Sequence, residues 1–186
     1  MRRLALDLPD LDDMTRRWML EEFESEEAGT PYRSQGLTPL GLESFPHLVR
    51  DAITDGDEQS LTDGLNDPAL WTLTRDYWRQ GRLYSPPRDV ESSALTLART
   101  EFIGWYVRGF SRRLMEEGVE VCQIYRAAPA WQPRGECLSH EGGTFAVRAV
   151  YAGHRARYWP EPGDEDAFSI PAGPNCHHAI RRVEGF

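Results

Sequence analysis

The stretch "ESSALTLARTEFIGWYVRGFSRRLMEEG" constrains this chain more than any other. Phe102, Tyr106, Phe110 and Leu114 stand four apart, and Ile103 and Val107 widen the apolar stripe. That spacing predicts one long helix from about Ser92 to Glu117. Arg112 and Arg113 fall in its last turn, where cations oppose the helix dipole, and Gly118 ends it. A stripe this aromatic is core rather than a ligand site.

The period changes after Gly118. "VEVCQIYRA", "GTFAVRAVY" and "AFSIPAG" are short, β-branched or aromatic, and separated by Pro and Gly, which predicts strands. Prolines at 129, 133, 160, 162, 171 and 174 leave no room for another long helix. This part reads as a small, loop-rich β region docked on the long helix, too small to stand without a staple.

Residues 1–88 read as helices. "DLDDMTRRWMLEEFESEEAG" offers Asp12 or Asp13 as N-cap and Gly29 as stop, with Leu11, Met14 and Trp18 along one face. Phe45, Leu48, Val49, Ala52 and Ile53 keep helical spacing before Gly56, and Asp57 caps a short third helix. "NDPALWTLTRDYWRQG" carries the clearest start signal, with Asp67 as cap, Pro68 at the first position and Gly81 closing. "YSPPR" then breaks the chain. The fold class expected is α+β: a helical region over 1–88, then a unit over 89–186 made of the long helix and the small β subdomain.

Composition narrows the function classes. The formal charge is −9, with acid concentrated in "EEFESEE" and "DGDE", which reads as solvated helix faces. Such a balance disfavours direct DNA binding and anionic membranes and suits a basic protein partner. No apolar run is long enough to span a membrane, and "MRRLALDLPD" is too short in apolar residues for a signal peptide. Three cysteines make an odd count, which argues for a reducing compartment where Cys with His means metal.

The candidate staple is Cys137-x-x-His140 with Cys176-x-His178. A structural zinc site takes four such donors, Gly142 and Gly143 favour a tight turn after the first pair, and Pro174-Asn175 supplies a bend before the second. The bland alternative is two buried thiols and surface histidines. Catalytic readings fit less well. His140-Glu141 lacks the second histidine of a zincin helix, since position 144 is Thr, and nothing further marks a nucleophile pair of Cys122 with His140 or His154. A zinc-finger nuclease of the His-Asn-His kind is the more serious rival, but no acidic residue flanks His177 or His178 closely in sequence.

Residues 94–183 resemble the C-terminal domain of phage Mu F-like head-morphogenesis proteins, the minor capsid family. The resemblance rests on Arg99-Thr100-Glu101 in the helix, Glu117-Gly118-Val119 at its end, Cys137 to His140, Glu141-Gly142 with Phe145, and "GPNCHH" at 173–178. The family pattern has a second cysteine in each pair where this chain has His140 and His178. It has a histidine where this chain has Gly173, which makes His177 a substitute ligand. The resemblance implies zinc at these residues and an internal polar network at Arg99, Thr100 and Glu101. It also implies a structural role in the virion, assembled in the host cytoplasm, with phage portal or capsid proteins as partners and no active site. Mu F-like domains also occur fused to toxins, so a metal-dependent nuclease or toxin-like effector is the alternative.

Overall fold

A computed structural model describes residues 5–129, 135–159, 163 and 167–183, with 135–137 described by their backbone alone. Helices α1 (Asp13–Ala28), α2 (Pro39–Thr54) and α3 (Glu58–Leu65) precede a hairpin of β1 (Tyr77–Arg79) and β2 (Arg82–Tyr84). Helix α4 (Val90–Glu116) follows, then β3 (Val121–Arg126), α5 (Gly135–His140), β4 (Thr144–Ala146), α6 (Val147–Ala152) and β5 (His178–Arg181). The fold is α+β, as expected. Among the described residues no helix is long and apolar enough to cross a membrane.

Local chemistry explains the helix starts. Asp12, Thr38, Asp57 and Asp89 each accept a bond from a backbone N–H of the first turn, which satisfies a donor that the helix itself leaves free. Asp57 and Ser60 complete a reciprocal capping box. Helix α4 runs 27 residues, about 40 Å at 1.5 Å per residue. It stops where Gly118 takes φ +74, and Val119 N–H closes on the Leu114 carbonyl at 2.8 Å.

Helix α4 is the spine. Its stripe of Phe102, Ile103, Tyr106, Val107, Phe110 and Leu114 is buried, as the spacing predicts. α1 and α3 pack along it, α2 lies on α1 and α3, and α6 and β5 cover another side. Phe23 meets Trp105 edge-on at 5.4 Å, and Tyr106 donates to the Ile180 carbonyl at 3.3 Å. One apolar core therefore runs from Met19 on α1 to Ile180 on β5. The three-stranded sheet is antiparallel in the order β4-β3-β5, with Cys122 opposite Phe145, Ile124 opposite Ile180 and Arg126 opposite His178.

Four expectations are corrected. On α1 the buried face is Thr15, Met19 and Phe23, while Met14 is exposed. Thr15 can sit inside because its hydroxyl accepts from Arg113 at 2.9 Å. After Pro68 only a 3-10 turn forms, Pro68–Leu70. Thr38 N–H bonds the Leu70 carbonyl, Thr72 N–H bonds that of Gly36, and buried Trp71 donates to Leu65 at 2.7 Å. A helix continuing past Leu70 would forfeit these. Gln80 and Gly81, with φ of +51 and +73, form the hairpin turn instead of a helix stop.

"GTFAVRAVY" divides into β4 and α6, since Val147 and Val150, three apart, both enter the core against α4. "AFSIPAG" forms no strand, and β5 falls later, on "HAIR". Pro171 has no N–H for a ladder, and its carbonyl accepts from the buried Ser169 hydroxyl at 3.0 Å.

Candidate functional site

The β3–β5 register builds the first cluster. It sets His178 opposite Arg126, and Arg126 holds the Glu141 carboxylate at 2.5 Å. The same Glu141 Oε2 accepts from His178 Nε2 at 3.3 Å. With its proton on Nε2, His178 turns the Nδ1 lone pair to buried Cys176 and accepts from its thiol, with Sγ at 3.7 Å. Two ligand atoms on one tetrahedral zinc ion, at about 2.3 and 2.1 Å from it, are about 3.6 Å apart. Cys176 and His178 thus stand at a separation that an ion can bridge. A carboxylate on the far ring nitrogen is how a ligating histidine is oriented.

The other expected ligands are placed differently. His140 ends α5 with its ring edge-on to Phe145 and Phe168, each at 5.5 Å, and near enough to His178 for its charge to disfavour protonation there. His177 does not turn toward Cys176; its Nδ1 donates to the Pro129 carbonyl at 3.0 Å. The side chain of Cys137 lies outside the described residues. Among those residues no three Cys, His, Asp or Glu gather as a metal-holding group. Burial first, and then the Arg126 charge, keeps His178 below its ordinary pKa against the pull of Glu141. The Arg126 bond holds Glu141 ionised. Cys122 is not an activated nucleophile: burial pushes its thiol up to about 12, and it donates to the Phe145 carbonyl at 3.7 Å.

The second cluster centres on Arg155, which sits beyond α6 in the left-handed region at φ +57. Its guanidinium is 5% exposed and grips Glu101 with two bonds, 2.9 and 2.7 Å. It also donates to Glu26 at 3.1 Å and to Tyr158 at 3.2 Å, and it lies over the rings of Tyr32 and Trp105. Burial works against the charge of Arg155, but Glu101 outweighs it and holds the arginine protonated. Next to it Arg108 pairs with Glu22 at 2.6 Å and lies 3.5 Å above the Tyr151 ring. These contacts tie α1 to α4 and to the segment after α6.

Of the triplet expected as a polar network, Glu101 joins the Arg155 cluster. Thr100 bonds the Thr96 carbonyl within its own helix, and Arg99 lies near His177, which burial and then the Arg99 charge keep neutral. Arg155 was not legible in "AGHRARY". Fifty-four residues separate it from Glu101, and no spacing rule reaches across such a gap.

An open hollow of about 500 Å³ adjoins this cluster, lined by Glu26, Thr30, His154, Arg155 and Trp159. Burial raises the Glu26 carboxyl, yet the His154 contact, Arg155 and the Tyr32 N–H together bring it down to about 2. Burial brings His154 down to about 4 despite Glu26. His154 Nε2 lies 3.4 Å from Glu26 Oε2 without an aligned hydrogen bond, and a neutral imidazole there leaves no ion pair at neutral pH. Both shifts are depressions from unfolded values near 6.5 and 4.5, so the sign is the same. The stability that these two groups contribute is full above about pH 6.5. It should fall as His154 resists protonation down to about pH 4, and then as Glu26 is protonated towards about pH 2. Urea unfolding between pH 7 and 4 should lose up to about 1.4 kcal/mol per pH unit. His154→Gln should flatten that slope, and an unchanged slope would contradict the assignment.

No protein-family model matches the chain, and neither a curated protein nor a solved structure is significantly similar to it.

Proposed function

We propose that this chain is a structural component of a phage head, a minor capsid or head-morphogenesis protein. In this reading it binds portal or capsid protein at or near the portal vertex and supports head assembly or DNA delivery. The observation that carries the reading is how the Mu F-like segments relate in space. Glu101 of the helix triplet grips Arg155, and "GPNCHH" leads into β5, which pairs with β3 beside α4. Segments that resemble the family in order along the chain thus belong to one packed unit. The charge of −9 suits a basic protein surface better than nucleic acid.

The same reading includes a structural zinc ion. Cys176 and His178 would hold it, with Cys137 and His140 completing the set and Glu141 orienting the His178 ring. Zinc there would supply folding free energy, joining β5 to the 137–140 turn. The alternative, a metal-dependent nuclease or toxin-like effector, draws on one contact, the Glu141 carboxylate on His178.

One experiment addresses both. Protein purified without a His tag should carry about one zinc per chain by elemental analysis. It should also capture the cognate portal in a salt-sensitive pull-down, because exposed charge pairs are screened. Plasmid DNA incubated with it and magnesium or manganese should stay intact. Metal-dependent cleavage lost in His178→Ala, with no portal capture, would reverse the ranking.

A further inference from the structure

Among the described residues, the hairpin formed by β1 and β2 is hydrogen-bonded to the body at its base. There Arg88 donates to the carbonyls of Thr72 and Thr74 and to the Thr72 hydroxyl, each at 2.9 Å, and lies over the Trp71 ring. Every residue from 73 to 87 is exposed. One face stacks Tyr77 on Tyr84 at 5.5 Å; the other pairs Trp78, 72% exposed, with Leu83. A lone two-stranded hairpin gains little by itself in water, and exposed aromatic surface of this kind marks contact with another molecule.

Charge says which molecule. Residues 73–88 hold four arginines against Asp76, and Arg79 and Arg82 face each other across the ladder, a like-charge pair that an acidic neighbour would relieve. The segment just before, 51–72, contains no Lys, Arg or His but carries exposed Asp51, Asp55, Asp57, Asp63 and Asp67 on and around α2 and α3. Arg16 reaches that surface, yet it is engaged by the carbonyls of Ile53 and Gly56. A polyanion fits less well. Outside residues 73–88 the chain has 17 basic residues against 29 acidic ones, from totals of 21 and 30, and that field repels nucleic acid.

We propose that the hairpin is a docking arm that seats on the aspartate-rich α2–α3 surface of a second copy of this chain. The contact is head-to-tail, since arm and receiving surface are different patches, so it builds a ring or a row of copies. The base contacts hold the arm in place before docking, which reduces the ordering cost of association. This inference does not depend on the head-protein reading.

Sedimentation velocity of the full chain from about 1 to about 100 µM should show association at low salt, weakened about tenfold or more in about 0.5 M NaCl. Arg79→Glu with Arg82→Glu should be monomeric, and so should Asp51→Lys with Asp63→Lys. Both pairs should unfold at the wild-type temperature, since these side chains lie outside the core. Mixing the two variants should restore association, because each reversed patch meets a reversed partner. A wild-type chain that stays monomeric over this range overturns the proposal. So does an oligomer indifferent to both reversals, or a monomer whose arm instead binds a single-stranded oligonucleotide.

Discussion

Glu101→Ala should lower the unfolding free energy by about 3–5 kcal/mol, the usual consequence of leaving one partner of a buried ion pair alone. Glu101 is 1% exposed, and Arg155 sends two of its nitrogens to it. Without that carboxylate the guanidinium keeps, among the described residues, Glu26 and Tyr158 inside a site lined by Tyr32 and Trp105. Arg155→Lys should recover little, because an ammonium cannot form the parallel pair of bonds. Replacing both residues with Leu should lose less than Glu101→Ala does, since no buried charge is then stranded. Urea titrations with an unchanged m-value measure all three. A loss under about 1 kcal/mol for Glu101→Ala would mean that the network does not hold α4 to the segment after α6.

The second large effect reverses the ordinary expectation for a helical glycine. In mid-helix, Gly→Ala normally gains about 0.5–1 kcal/mol by restricting the unfolded chain. At Gly109 it should cost about 1–3 kcal/mol instead. A Cβ there would lie 2.5 Å from the backbone nitrogen of Met19 and 2.7 Å from its Cα, so α1 would have to move off α4. Gly104 on the same helix is the control. Its Cβ would meet only His154 Cε1, at 3.8 Å, so Gly104→Ala should be neutral or stabilising. Thermal unfolding of the two variants side by side tests the crossing. Equal behaviour would mean that α1 does not approach α4 at Gly109.

The predicted elements that survived are those whose signals are local. Asp12 and Asp57 cap helices because each side chain reaches an N–H three residues on. Phe102, Tyr106, Phe110 and Leu114 share one face because the helix brings every fourth residue round. Asp67 shows where this legibility stops. It caps a turn as its sequence signal says, accepting from Ala69 N–H at 2.9 Å, yet the helix does not continue.

What overrides it lies far away in sequence: the Thr38 and Gly36 backbone that takes up Leu70 and Thr72. The candidate site divides in the same way. "GPNCHH" put Cys176 beside His178 from the start, but Glu141 joins them only through the pairing of β3 with β5. Arg155 joins Glu101 only because α6 packs on α4. Caps and periodicity act over a few residues, so the sequence alone determined the starts of α1 and α3, the long spine and where the Cys/His segments stand in the chain. Buried pairs depend on which surfaces meet, so only the tertiary structure decided the arginine network, the stop after Leu70 and the face that α1 buries.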